Sequence, residues 1–194
     1  MRKHIKVLQK YADRIWYPPL IGMLAALDNF VIIIPNDGIL ISSSMLTPRR
    51  WFALALNVAI GSTVGAIILA AFVETQGLEW ILEMYPGINE TKSWVWTADF
   101  FEKYGNRALI ISRFLPYIRT FAPILAGISK MNYPKYIFLN VAGAALWVGS
   151  LVGGGYYFGV QFPWIINYVH YVILFFLAIT TFTVIKGYLN IKKS

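Results

Sequence analysis

Residues 51–73 (WFALALNVAIGSTVGAIILAAFV) run without one charged side chain. A helix of that length reaches across the roughly 30 Å hydrocarbon core of a bilayer. Residues 136–160 repeat the pattern, and residues 162–185 do so with His170 as their one interruption. Three transmembrane helices are therefore expected. The composition agrees: 58% of the chain is apolar and 13% charged, against roughly 45–50% and 25% in soluble domains. A soluble enzyme, a disordered chain and a cysteine-stapled secreted domain are all poor fits to these 194 residues, which hold no cysteine.

The formal charge of +8 would raise nucleic acid as a partner in a soluble protein. Its distribution argues otherwise. Arg2, Lys3, Lys6, Lys10 and Arg14 precede the first apolar stretch, and Lys186, Lys192 and Lys193 follow the last. Basic ends of this kind sit beside anionic lipid on the cytoplasmic face. No cleavable signal peptide is expected, because the basic head leads into a long apolar run.

Two other apolar regions are interrupted. Residues 15–46 carry Asp28 and Asn29, then Pro35-Asn36-Asp37-Gly38; residues 108–128 carry Arg113 and Arg119, with Pro116 and Pro123 as helix breakers. Proline removes a backbone donor and clashes with the preceding turn, so neither region reads as one straight helix. Irregular backbone at membrane depth persists only where protein covers it or it lines a wet cavity. Each region is expected to be a re-entrant hairpin of two half-helices. Between them, residues 74–107 hold six acids and three basic residues, with Trp80, Trp94, Trp96, Phe100 and Phe101. That composition suits an amphipathic connector lying at the interface.

The chain also repeats itself. Met45-Leu46-Thr47-Pro48-Arg49 precedes the span at 51–73, and Met131-Asn132-Tyr133-Pro134-Lys135 precedes the span at 136–160, each with a Phe four residues after its proline. Proline at a helix start is common, but the shared order of broken hairpin and span points to a duplicated unit, an inverted repeat. The expected fold is an all-α polytopic membrane protein in one domain. It comprises a basic head (1–14), a first hairpin-plus-helix repeat (15–73), the connector (74–107), a second repeat (108–160), and a last helix with its basic tail (161–194). Small residues in the spans (Gly61, Gly65, Gly143, Gly149, Gly153) would let hairpins pack closely.

Asp28, Asp37, Arg113 and Arg119 lie inside these apolar hairpins. Each costs about 2.5–3.5 kcal/mol at the centre of a membrane helix, and together they rival a domain's whole stability. They must be paired, hydrated or bound. A turn from Pro35 to Gly38 would fold the two acids toward each other, and Pro116 would do the same for the arginines. The hairpin tips would then set an acid pair against a basic pair. Two roles are open: ion pairs that lock the hairpins, or a site in which Arg113 and Arg119 hold an anionic head group while Asp28 and Asp37 compete for them or carry a proton.

The stretch SRFLPYIRTFAPILAGISKM (residues 112–131), followed by Phe138, Asn140, Gly143 and Trp147, closely resembles the signature of the DedA family, also called VTT-domain or SNARE-associated Golgi-type proteins. Arg113, Pro116, Arg119, Pro123, Ala126 and Gly127 fall on that motif, as does Gly155-Tyr156-x-x-Gly159. The first hairpin resembles the family's paired acids around a proline, here Asp28, Pro35 and Asp37. The resemblance covers roughly residues 20–160 and implies translocation of a phosphate-bearing lipid, a phospholipid or undecaprenyl phosphate, between leaflets, with dependence on the proton motive force. It also implies that Asp28, Asp37, Arg113 and Arg119 are the essential residues, shaped by Pro35, Gly38, Pro116, Pro123 and Gly127.

Membrane lipids with anionic head groups are thus the expected partners, with no nucleic acid, and a homo-oligomer is compatible with the chain. A proton- or ion-coupled exporter of small solutes and a non-transporting envelope scaffold are the alternatives. Enzymatic chemistry is not expected: the sequence has no metal-ligand or cofactor motif, its histidines are His4 and His170, and Ser42, Ser43 and Ser44 lack a partnered base. The expected location is the cell (inner or plasma) membrane with both termini cytoplasmic. On that assignment Lys130 and Lys135 are inside while Arg49 and Arg50 face outward.

Overall fold

The computed structural model describes residues 9–30, 36–84, 86–168, 171, 174–175, 177–179 and 181–182, and every regular element among them is helical. Helix α1 (Tyr17–Leu27) carries Pro18 and Pro19 in its first turn, where a missing N–H costs nothing. Helix α2 (Asn36–Leu46) has Asp37 in its first turn, where the helix dipole favours a carboxylate. A 3-10 turn at Pro48–Arg50 leads into α3 (Trp51–Met84), which breaks at Gly77 (φ 80°, ψ 175°). Helix α4 (Lys92–Tyr104) is capped by Thr91, whose Oγ1 accepts the Trp94 N–H at 3.3 Å. Short α5 (Ala108–Ser112) and α6 (Pro116–Ile128) flank a break at residues 113–115. Leu115 there is extended (φ −116°, ψ 102°), the conformation that a following proline imposes. Helix α7 (Tyr133–Gln161) follows, then a 3-10 segment at Pro163–Tyr168.

Helices α3 and α7 are each long and apolar enough to cross a membrane. The helix expected to end at residue 73 continues; residues 51–76 alone extend about 39 Å, and Gly77 lets the chain turn where its composition becomes polar. Pro35 and His170 lie outside the described residues, as does much of 162–185, of which the described positions from 171 onward are helical. Two expected shaping roles change. Gly38 sits within the first turn of α2, after the break between the two legs. Pro123 lies inside an unbroken α6; the carbonyl that it frees four residues back belongs to Arg119, and packed neighbours make such prolines tolerable in membrane helices.

The legs of each hairpin part company. Leg α1 lies along α3, while its partner α2 lies along α7; leg α5 lies on α7, while its partner α6 lies on α3. Close approach depends on glycine. A Cβ on Gly61 would stand 1.9 Å from the Gly22 carbonyl oxygen, and one on Gly65 2.4 Å from that of Ala26. Gly155 meets Ser44 and Ile41, Gly159 meets Met45, Gly127 meets the Ala70 carbonyl, and Gly143 meets Ile110 and Arg113. These contacts fix the levels. Asp13 lines a surface groove with Arg49, Arg50 and Phe52 at the start of α3, so the chain before α1 and the chain after α2 lie at the same end of α3. At the far end of α3, the Tyr133 Oη donates to Glu74 at 2.5 Å and the Tyr136 Oη to the Ala66 carbonyl at 3.1 Å, beside the exit of the second hairpin. Among the described residues, Asp13 of the head therefore lies at the same end of α3 as Arg49 and Arg50, which were expected to face away from the cytoplasmic termini.

Buried side chains form a seam between hairpins and long helices, with Leu40, Leu54, Val58, Trp147, Val148 and Val152 at one end and Ala70, Leu109, Ala122, Ala126 and Tyr136 at the other. Outside, Phe52, Leu56, Ile60, Val64, Ile68 and Phe72 are all exposed. Their spacing of four residues makes one apolar stripe down α3, the kind of contiguous patch that water does not tolerate and lipid does.

Candidate functional site

Asp28 follows directly on α1, Asp37 opens α2, Arg113 lies in the break after α5, and Arg119 lies in the first turns of α6. The four charges thus stand where α1 ends, where α2 begins and where α5 gives way to α6, between α3 and α7. Arg119 Nη1 donates to Asp37 Oδ1 and Nη2 to Asp28 Oδ2, both at 3.0 Å. One guanidinium fork therefore joins two carboxylates from the opposite hairpin. The Arg119 side chain is 15% exposed, with Asp28 at 11% and Asp37 at 22%. Its carbon centre stands 4.9 Å over the Trp147 ring, and a cation so placed is drawn to the indole quadrupole.

Arg113 takes no part in that triad. Its Nη1 donates to Ser62 Oγ at 2.5 Å and its Nη2 to Asn140 Oδ1. The residue is buried, and both partners are neutral. The expected meeting of an acid pair with a basic pair takes an uneven form: both acids hydrogen-bond Arg119, because α6 carries it toward them, while Arg113 stays in the break, against α3 and α7, within electrostatic reach of Asp28. Asn29 ties the two groups together. Its Nδ2 donates to the carbonyls of Ala25 and Ala26 and, at 3.3 Å, to that of Ser62.

Two buried polar side chains keep an atom without a partner among the described residues, the Ser42 hydroxyl and the Asn140 Nδ2, while Asn36, at the start of α2, is placed to hydrogen-bond Asp28. Buried polar atoms are nearly always satisfied, and Asn140 is the one of these two that meets a charged side chain, Arg113. Pro116 starts α6 and so sets the break, while Gly127 serves a close approach to α3 further along. Ser62, Asn140 and Trp147 were not singled out by charge reasoning. Asn140 and Trp147 stand in the stretch that carries the family resemblance, and Ser62 is flanked by the glycines that seat α1. Among the described residues no three His, Asp or Glu side chains gather as a metal site.

Comparison with known proteins gives the family. The family model of the VTT domain matches residues 34–157. An uncharacterised membrane protein of Mycobacterium leprae is 33% identical over 115 residues, covering 59% of this chain and 48% of the relative. Protein DedA of Escherichia coli K12 is 46% identical over 63 residues, covering 32% of this chain and 29% of DedA. A longer alignment, with an uncharacterised membrane protein of Mycobacterium bovis, is 26% identical over 168 residues and covers 76% of this chain and 77% of the relative. The chain thus matches less than half the length of the first two of these relatives. No solved structure matches. With the family model spanning 34–157, which holds Asp37, Arg113, Arg119, all of α3 and most of α7, the chain belongs to the VTT-domain family of membrane proteins.

Proposed function

We propose that the chain carries a phosphate-bearing lipid between leaflets, a phospholipid or a polyprenyl phosphate, with its two hairpins re-entering the membrane from opposite faces as an inverted repeat. One observation carries this: Arg119 of the second hairpin is shared by Asp28 and Asp37 of the first, at mid-depth between two membrane-length helices. A guanidinium divided between two carboxylates holds the hairpins shut. Phosphate offers the same planar fork a competing partner, so a head group arriving at Arg119 unlocks the contact that closes the path. Arg113 supplies a second positive charge for it deeper in the seam. Paired hairpins meeting at the midplane are a recurrent way to build such a path.

Two carboxylates against one guanidinium also leave the triad one negative charge in excess, and a proton on either acid balances it. Proton coupling follows from that stoichiometry, and it equally favours a proton-coupled exporter of small solutes as the second reading. We orient the cell membrane so that the basic head and Arg49–Arg50 face the cytoplasm, where Lys and Arg accumulate. The deciding experiment is reconstitution into liposomes of defined lipid, with a fluorescent phospholipid or polyprenyl phosphate as cargo, across a pH gradient. Translocation by the wild type that collapses in Asp37→Asn supports lipid transport. Proton flux without any lipid movement would favour the exporter, and neither activity would leave a scaffold.

A further inference from the structure

Arg113 is a cation with only donors to offer, so it dictates the orientation of whatever amide it meets. It meets Asn140. The amide must therefore turn its oxygen to the guanidinium, which leaves the NH2 group of the same amide without a role in that bond. No acceptor among the described residues meets that NH2, although Asn140 is only 3% exposed. The usual ambiguity between amide oxygen and nitrogen does not arise here. What results is a guanidinium and an unpaired amide donor fixed side by side, buried, with no carboxylate hydrogen-bonded to either. A buried donor without an acceptor is costly to keep, and so is a buried cation whose hydrogen-bond partners are all neutral, with the Asp28 carboxylate acting on it only through space.

We infer that Arg113 and Asn140 together form an anion cradle whose ligand is the phosphate of the transported lipid, Asn140 donating to a phosphate oxygen through Nδ2 while Arg113 supplies the charge. This rests on the lipid-phosphate reading above and adds a specific role to it. The cradle differs from the Arg119 triad in its hydrogen bonds, since Arg119 donates to carboxylates and Arg113 to the neutral Ser62 and Asn140. It is shut in this conformation: Gly143 packs against Arg113 and Ser62 covers it from α3. A head group reaches it once Arg119 has let go of the first hairpin. Ser62 orients the guanidinium from the far side, and Asn29 braces the Ser62 backbone.

Asn140→Asp separates this role from a merely structural one. The carboxylate has the shape of the amide and accepts from Arg113 better than a neutral oxygen does, so a residue needed only to hold Arg113 would work as well or better. As a ligand it fails twice, having no donor to offer and neutralising the guanidinium. Purified full-length chain in detergent is titrated with dioctanoyl phosphatidic acid and with dioctanoylglycerol, which lacks the phosphate. Binding is read by native mass spectrometry and folding by melting temperature. The expected result is phosphate-dependent binding by the wild type and at least tenfold weaker binding by Asn140→Asp, which melts no lower. Wild-type affinity in Asn140→Asp overturns the cradle and leaves the lipid reading standing. Weakened binding with a lowered melting temperature makes Asn140 structural and also overturns it. A wild type that binds neither probe overturns both.

Discussion

Arg119 is held on three sides, by Asp28, Asp37 and the face of Trp147, and its removal should be felt more than that of either acid. Arg119→Ala leaves two carboxylates facing each other in a largely buried place, and breaking a buried pair from one side costs about 3–5 kcal/mol. Asp37→Asn keeps the Asp28 pair and relieves a like-charge contact, so it should cost about 1 kcal/mol or less. Melting temperatures of the two purified variants in the same detergent check the order; equal losses would mean that Asp37 carries as much of the structure as Arg119. If Asp37→Asn folds as the wild type but moves no lipid, the acid serves the transport cycle. The four charges were legible in the sequence because a bilayer excludes unpaired ions. Which arginine met the acids was not, because that depends on how far α6 advances from its break. Ser62 and Asn140 read in isolation as ordinary polar interruptions, and only Arg113 between them gives them a role.

The helices owe their close packing to a few glycines, and these fall into two kinds that look alike in the sequence. Gly61 and Gly143 abut backbone of the first and second hairpins, whereas a Cβ on Gly149 or Gly153 would meet nothing within 4 Å. Gly61→Ala should therefore part α1 from α3 and cost about 1–3 kcal/mol as an overpacked contact. Gly149→Ala, in open space on a helix, should be neutral or raise stability by up to about 1 kcal/mol through propensity. Thermal unfolding in detergent distinguishes them, and a Gly149→Ala variant that melts well below the wild type would show that its face of α7 is occupied in the membrane. Helix breaks were legible where proline begins a helix, as at Pro116, since steric restriction acts on the residue before it. They were not at Pro123, where tertiary packing lets the helix run through, nor at Gly77, where positive φ turns a chain whose hydropathy changes only gradually.

At the scale of the molecule, α3 and α7 run in opposite senses, and the proposed inverted repeat has each hairpin open on one face of the membrane. Asp13, Arg49, Arg50 and Phe52 share one face; the ends of α3 and of the second hairpin share the other through Glu74 and Tyr133. Read from sequence, the positive pair at Arg49–Arg50 stood on the wrong side of the membrane, because both termini were assigned to one face and crossings were counted back from the end. On the proposed return of the first hairpin to its own face that conflict disappears: the basic residues of the head, from Arg2 to Arg14 in the sequence, would join Arg49 and Arg50 on one side, against Lys92, Lys103, Arg107, Lys130 and Lys135 on the other. The larger group should be cytoplasmic. Because the chain has no cysteine, single cysteines report sidedness without a background. Asp13→Cys and Arg49→Cys should resist a membrane-impermeant maleimide added to intact cells and react once the membrane is opened. Glu90→Cys and Lys135→Cys, all four positions being exposed, should react from outside at once. Labelling of Asp13→Cys and Arg49→Cys from opposite sides would mean that the first hairpin crosses the membrane, and with it would fall both the inverted repeat and the meeting of the hairpin breaks at mid-depth.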